Sequence, residues 1–218
     1  MPQTSHAVIF DMDGVLCDTI PLHLAGWERI AQRLGVRLKP EDIETFRGRS
    51  RDGCLALLLE RSGLEPDEAE RAALLEAKNR DFLERVARLG PDDLTPGARR
   101  LIDALRARDV PLAVASSSRN TRTVLGRLGI RDAFDAIVDL TDVPVSKPAP
   151  DLFLAAAGRL GVGPAQCVVI EDSAAGVQAA RSAGMHVVGV GPRQRLAAAD
   201  RVVASLAELD ADALLELL

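Results

Sequence analysis

The feature that most constrains the fold is a set of six short runs rich in β-branched residues. These runs are AVIF (7–10), PLAVASS (111–117), DAIVDL (135–140), CVVIED (167–172), HVVGVG (186–191) and RVVAS (201–205). From the second run onward they alternate with helix-length segments at 119–129, 150–160 and 173–183, most of which a glycine closes. Apolar strands separated by helices indicate a parallel sheet with helices on both faces. The sequence therefore predicts a doubly wound α/β core.

A second module is predicted between the first two runs. Residues from about 20 to 90 show helical periodicity and no convincing strand. After them, TPGARRLIDALRARD begins a helix with Pro96 near its first turn and leads back into a strand. We therefore predict an all-helical cap at 18–90, inserted into a Rossmann-like core formed by 1–17 and 91–218.

Composition excludes several classes of protein. The 218 residues are 47% hydrophobic and 27% charged, and no apolar stretch is long enough to cross a membrane. The formal net charge of -5 argues against nucleic acid, whose binding needs a basic face. The three cysteines suggest neither a disulfide framework nor a zinc site, and the first residues lack a secretory signal. We expect a cytoplasmic monomer without membrane or nucleic-acid partners.

Two aspartates end the first apolar run. Asp11 and Asp13 are separated by one residue, and Gly14, which permits an unusual backbone turn, follows at once. Ligands of open α/β sheets bind beyond the carboxyl ends of the strands, where these carboxylates are expected. Crowded carboxylates repel each other, and Mg²⁺ with substrate phosphate oxygens would relieve this repulsion. The alternative is a solvated turn or a helix cap.

Polar residues also follow three other predicted strands. Ser116 in VASSS offers a hydroxyl near a helix N-terminus, and Lys147 in VSKPAPD offers a point charge for phosphate. Glu171 and Asp172 close the strand in VVIEDSAAG and could complete a metal site. Taken singly, Ser116 and Asp172 could be helix caps and Lys147 a solvated lysine. Taken together, these residues indicate a phosphoryl-transfer site.

The order of these motifs resembles the haloacid dehalogenase superfamily of phosphotransferases. The superfamily has D-x-D after strand one, serine or threonine after strand two, then a lysine and paired acids. The resemblance covers nearly the whole chain, including the inserted helical cap. It implies that Asp11 is the nucleophile, Asp13 the general acid and base, and that Ser116 and Lys147 hold the phosphoryl group. It also implies a Mg²⁺ site formed by Asp11, the Asp13 backbone carbonyl and Asp172, with Glu171 as a further candidate.

Within that superfamily, several segments are similar to the β-phosphoglucomutase branch. They are DTIPLHLAGW, GRSRDG and AKNRDF in the cap, and SSSRN and VSKPAPDLFLAAA in the core. The substrate-binding positions that this resemblance implies are Gly14, His23, Trp27, Gly48, Arg51, Lys78, Ser117, Ser118, Arg119 and Asn120. Of these, Ser118, Arg119 and Asn120 would join Arg51 around a second phosphate. Ser117 and Arg119 depart from the alanine and lysine that are usual there.

The resemblance implies a Mg²⁺-dependent mutase whose substrate is a phosphorylated sugar. It would interconvert β-glucose 1-phosphate and glucose 6-phosphate through an aspartyl-phosphate, with glucose 1,6-bisphosphate as primer. A phosphatase for small sugar phosphates is the alternative. The residues also allow structural interpretations: RGRSRDG as a solvated basic loop, His23 at the edge of a core, and Trp27 as packing. A non-enzymatic binding module would be expected to lack Asp11, Asp13, Lys147 or Asp172, and none of these is missing. A dinucleotide-binding enzyme would need G-x-G-x-x-G after strand one, which this sequence does not have.

Overall fold

The computed structural model describes residues 6–39 and 41–218, and its centre is a six-stranded sheet. The strands are β1 (Ala7–Phe10), β2 (Leu112–Ala115), β3 (Ala136–Val138), β4 (Cys167–Glu171), β5 (His186–Val190) and β6 (Arg201–Val203). Their order is β3-β2-β1-β4-β5-β6, and every neighbouring pair is parallel. The predicted doubly wound α/β fold is confirmed.

Helices follow each strand except β5. They are α1 (Ile20–Arg33), α2 (Asp42–Phe46), α3 (Arg51–Ser62), α4 (Glu68–Val86), α5 (Ala98–Arg106), α6 (Thr121–Arg127), α7 (Asp151–Leu160), α8 (Ala174–Ser182) and α9 (Ala211–Leu215). Helices α1 to α5 lie between β1 and β2, and the first four of them fall in the segment where the sequence predicts a helical insertion. Helix α5 begins after its N-cap Gly97, so Pro96 precedes the first turn of that helix.

The strand β1 explains why both faces of the sheet are covered. Its side chains alternate, because Val8 and Phe10 belong to one apolar cluster while Ala7 and Ile9 belong to a second. All four residues are fully buried. A strand that is apolar on both faces requires helices on both faces, as in other parallel sheets.

The helical insertion has an apolar cluster of its own. Trp27 of α1, Phe46 of α2 and Leu58 of α3 pack together there. The last turns of α4 differ, because Phe82 and Val86 belong to a cluster with sheet residues. The predicted domain limits at 17/18 and 90/91 stay predictions. Within the described ranges, no helix combines the length and the apolar character that a membrane crossing requires.

Candidate active site

The site lies where the winding of the sheet changes direction. Strand β1 has β2 on one side and β4 on the other, and crevices of this kind bind ligands at the carboxyl ends of the strands. The backbone N–H of Asp11 donates to the carbonyl of Ile170 at 2.9 Å. This bond places Asp11, at the end of β1, beside Glu171 and Asp172 at the end of β4.

A buried lysine connects two of the predicted acids. Lys147 Nζ lies 2.5 Å from Asp11 Oδ1 and 2.7 Å from Glu171 Oε1. Burial raises the pKa of Asp11, and nearby Glu171 adds to this, although Lys147 opposes it. Burial alone would lower the pKa of Lys147, but the two carboxylates outweigh it and raise the pKa. Lys147 therefore stays charged at neutral pH.

Glu171 is fixed by the start of helix α8. The backbone N–H and the hydroxyl of Ser173 donate to Glu171 Oε2 at 2.7 and 2.9 Å. The same hydroxyl accepts the N–H of Gly176 at 3.0 Å and caps the helix. The interpretation of Asp172 as the helix cap is therefore wrong, because Ser173 has that position.

Ser116 is also not a helix cap, since Asn120 is the N-cap residue of α6. Its hydroxyl accepts the backbone N–H of Ser118 at 3.1 Å and lies 3.4 Å from Asp13 Oδ2. The side chain is fully buried. Ser116 therefore lies beside the predicted acid and base, at the end of β2 where the sequence places it.

Asp13 is connected to the helical insertion through two side chains. Its Oδ1 accepts from the Thr19 hydroxyl and lies 3.4 Å from His23 Nε2. The other ring nitrogen of His23 lies 2.6 Å from Lys78 Nζ. An ammonium only donates, so His23 Nδ1 accepts and Nε2–H points to Asp13.

The pKa values agree with this arrangement. Burial and the charge of Lys78 lower the pKa of His23 and favour the neutral ring. Burial, followed by Arg51, lowers the pKa of Lys78 to about 8. Burial alone would raise the pKa of Asp13, but its bonds with His23 and Thr19 lower it overall. At neutral pH Asp13 is thus a carboxylate that a neutral histidine contacts.

An arginine of the insertion reaches the core acid Asp172. Arg47 Nη1 forms a short ion pair with Asp172 Oδ2, and the Asp172 side chain is 5% exposed. Burial, followed by Glu171, raises the pKa of Asp172 to about 7, although Arg47 opposes this. Gly14 has φ +84, and a Cβ there would overlap the Asp172 carboxylate. Only glycine therefore allows the carboxylate to approach this close to the backbone.

The insertion also touches the core at Gly48. This residue has φ +73, and a Cβ on it would lie 2.6 Å from the Ser173 hydroxyl.

Trp27 is 2% exposed and packs on Phe46, with ring centroids 5.9 Å apart. Trp27 therefore supports the fold of the insertion while it borders the cleft.

One cleft collects most of the predicted residues between the core and the insertion. Those that border it are Asp11, Asp13, His23, Trp27, Gly48, Arg51, Lys78, Ser117, Ser118, Arg119 and Asp172. The predicted residues Gly14, Ser116, Asn120, Lys147 and Glu171 are not on its wall, although several of them contact residues that are. The cleft wall also carries Arg47 and Arg49, so cations of the insertion face carboxylates of the core.

Three residues of the site were not predicted from the sequence. They are Thr19, Arg47 and Asn79, whose amide oxygen accepts from Arg51 at 2.7 Å and from Asn120 at 2.8 Å. Each lies inside a segment quoted from the sequence: Thr19 in DTIPLHLAGW, Arg47 in RGRSRDG and Asn79 in AKNRDF. The signal in the sequence that could have identified these three residues is a polar side chain within a few positions of a predicted site residue.

The carboxylates suit a hard cation, although their oxygens are engaged with side chains. In the ranges 6–39 and 41–218, no three His, Cys, Asp or Glu side chains are grouped as a metal site. Lys147 and Arg47 are the partners of Asp11 and Asp172. Burial raises the pKa of Asp11, and the neighbouring acids Glu171, Asp13 and Asp172 add to this rise. Oxygen donors are those that Mg²⁺ prefers. The chemistry of the donor set therefore fits Mg²⁺.

Comparison with known proteins identifies a family and relatives of this chain. The family model of haloacid dehalogenase-like hydrolases matches residues 6–184. A β-phosphoglucomutase of Bacillus subtilis (strain 168) is 42% identical over 212 residues, which cover 96% of this chain and 94% of that protein. The fructose-1-phosphate phosphatase YqaB of Escherichia coli (strain K12) is 34% identical over 189 residues, covering 84% and 95%.

A solved structure shares nearly the whole fold. The crystal structure of β-phosphoglucomutase from Clostridium difficile superposes with a TM-score of 0.94 at 33% identity, covering 98% of this chain and 96% of that one. On the family match and these relatives together, the chain belongs to the haloacid dehalogenase-like hydrolases, a family of enzymes.

Proposed function

We propose that the protein is a mutase that interconverts β-glucose 1-phosphate and glucose 6-phosphate. The observation that carries the proposal is the connection from Asp13 through His23 to Lys78 of the insertion, with distances of 3.4 and 2.6 Å. In a phosphatase, the residue that acts as general acid and base must be able to activate water without a bound sugar. A mutase needs that group to work only when a sugar is bound, and a connection to a movable cap would achieve this.

The proposed chemistry has two half-reactions. In the first, Asp13 takes the proton from a sugar hydroxyl, which attacks the phosphorus of the Asp11 aspartyl-phosphate and releases the Asp11 carboxylate. In the second, a carboxylate oxygen of Asp11 attacks the other phosphorus of the bisphosphate, the bond to the leaving sugar oxygen breaks, and Asp13 gives that oxygen the proton it had taken. Lys147, 2.5 Å from Asp11, and Ser116 would hold the phosphoryl oxygens.

Residues at the ends of β1 and β4 would hold Mg²⁺. The donors are Asp11, the Asp13 backbone carbonyl and Asp172, with Glu171 as a further candidate. Bound there, the ion would offset the charge that keeps a carboxylate and a phosphate apart. Glu171 also orients Lys147, which lies 2.7 Å away.

The second phosphate of the bisphosphate intermediate would bind at Arg51. Arg51 borders the cleft together with Ser118 and Arg119, and Asn120 is joined to it through Asn79. Arginine suits this role because it can grip phosphate with two N–H groups and keeps its charge. Glucose 1,6-bisphosphate would be the primer. The monomer and the cytoplasmic location expected from the sequence stay predictions.

A phosphatase for small sugar phosphates is the second candidate function. The E. coli relative named as a fructose-1-phosphate phosphatase favours it, because 84% of this chain aligns with that enzyme at 34% identity. The aspartyl-phosphate chemistry would be the same. Only the acceptor differs, since water replaces the sugar hydroxyl that attacks the aspartyl-phosphate.

The experiment measures both products in one time course. Protein primed with glucose 1,6-bisphosphate and supplied with Mg²⁺ and β-glucose 1-phosphate should form glucose 6-phosphate much faster than inorganic phosphate. Arg51→Ala should lower isomerisation by about 30- to 150-fold, as expected for a lost charge-assisted bond of roughly 2–3 kcal/mol, and should affect hydrolysis less. Arg71→Ala, on an exposed position of α4, is the control. Rapid phosphate release without isomerisation of any hexose phosphate would refute the mutase.

A further inference from the structure

Asn79 joins the helical insertion to the core through one atom. Its Oδ1 accepts from Arg51 Nη2 at 2.7 Å and from Asn120 Nδ2 at 2.8 Å. Asn79 is on α4, Arg51 begins α3, and Asn120 caps α6 of the core. Three elements thus meet at one carbonyl oxygen.

The orientation of the Asn79 amide follows from its partners. A guanidinium has five N–H donors and no acceptor, so the atom facing Arg51 must be the oxygen. An amide oxygen has two lone pairs, and the bonds from Arg51 and Asn120 use both. The acceptor capacity of Asn79 is therefore filled by two residues that border or flank the second-phosphate site.

Arg51 differs from the nearby arginines Arg47 and Arg119 because the side chain that accepts its hydrogen bond is uncharged. Arg47 pairs with Asp172, and Arg119 lies 3.7 Å from Asp52. Arg51 has an amide as its partner, and within residues 6–39 and 41–218 no carboxylate oxygen lies within 4.0 Å of its guanidinium nitrogens. A carboxylate in place of Asn79 would orient Arg51 equally well but would neutralise it. An amide orients the guanidinium and leaves its charge for an anion in the cleft.

We propose that Asn79 is a positioning residue of the second-phosphate site. It acts as a neutral acceptor that fixes the positions of the Arg51 and Asn120 side chains relative to each other. The inference rests on the proposed function, since it assigns a role at the anion site that a mutase requires. Because Asn79 joins the insertion to the core, the two halves of this anion site come together when the cleft is closed.

Two substitutions separate orientation from charge. Asn79→Ala removes both hydrogen bonds, whereas Asn79→Asp keeps an acceptor and adds a negative charge beside Arg51. We expect the KM for glucose 1,6-bisphosphate to rise about tenfold in Asn79→Ala and more in Asn79→Asp. The rate at which acetyl phosphate, which has no second phosphate, phosphorylates the protein should change less than about twofold in both variants. Arg80→Ala, on an exposed position of the same helix, is the control.

The outcomes distinguish the inference from the proposed function. A defect limited to the bisphosphate, with Asn79→Asp worse than Asn79→Ala and unfolding midpoints unchanged, supports the inference. An equal loss with both phosphoryl donors overturns it, because that result indicates a structural role. If the kinetics with glucose 1,6-bisphosphate are unchanged in both variants, the inference about Asn79 is wrong, whereas the proposed mutase function is unaffected. If the wild type does not prefer the bisphosphate to acetyl phosphate, both fail.

Discussion

Gly176 offers a direct test of how tightly the site is packed. It lies in the first turn of α8, where a Cβ would lie well under 3.0 Å from three side-chain atoms of Glu171. Glu171 is 1% exposed and holds Lys147 at 2.7 Å. Gly176→Ala must therefore displace either this carboxylate or the start of the helix.

The magnitude follows from what the displacement breaks. Removing one partner from a buried ion pair costs roughly 3–5 kcal/mol. Alanine gains about 1 kcal/mol over glycine inside a helix. Movement of Glu171 would relieve the overlap, so no separate penalty for overpacking is added. We expect Gly176→Ala to lower the free energy of unfolding by about 2–4 kcal/mol.

The matched control is the same substitution on an open site. Gly158 lies inside α7, and a Cβ on it would meet no atom within 4 Å. Gly158→Ala should therefore raise the free energy of unfolding by about 0.5–1 kcal/mol. Urea unfolding of the three proteins measures both changes. If Gly176→Ala is as stable as the wild type, or if Gly158→Ala loses as much, the packing argument is wrong.

Two further predictions concern the helical insertion. Lys78 has a pKa of about 8 against an ordinary 10.5, so the unfolded chain binds more protons between these values and stability rises with pH. The free energy of unfolding of wild type minus that of Lys78→Met should increase by about 2 kcal/mol from pH 8 to 10, and a flat difference would contradict the shift. Asp67 forms a capping box with Glu70 at the start of α4. Asp67→Ala should cost about 1 kcal/mol in urea unfolding, whereas exposed Glu65→Ala should not, and equal effects would argue against the cap.

The sequence located all six strands because each has a dense run of β-branched residues. Strand β1 matches its run, whereas β2 to β6 are shorter than theirs, and the reason lies at their carboxyl ends. Strand β2 ends at Ala115, and the next residue, Ser116, turns to Ser118 and Asp13. Strand β3 ends at Val138, and Asp139 accepts from the Thr141 N–H at 2.8 Å. The side chains of Ser116 and Asp139 bond to groups beyond the strands, although the backbone N–H of Ser116 still donates to the Val138 carbonyl of β3 at 3.1 Å. The strands therefore end where the polar side chains begin.

The contact between the insertion and the core could not be predicted in the same way. Arg47 and Asp172 are 125 residues apart in the chain. A periodic pattern indicates which face of a helix is apolar, but it carries no information about which loop a distant side chain will meet. For this reason Asp172 was predicted as a metal ligand from its position after β4, while its partner Arg47 was missed. The roles of the individual site residues stay predictions.

The charges of the two modules explain why the cleft is closed around its own side chains. Arg47 pairs with Asp172, with side chains 15% and 5% exposed, and Arg195 of the core lies 2.6 Å from Glu44, which is 50% exposed. An exposed pair contributes at most about 1 kcal/mol, whereas separating a buried pair without hydrating both ions costs roughly 3–5 kcal/mol. The Arg47 pair therefore dominates closure. Opening must admit water to both ions at once, or supply a new partner to each: an anion to Arg47 and a cation to Asp172. The proposed phosphorylated substrate and divalent metal would meet both needs.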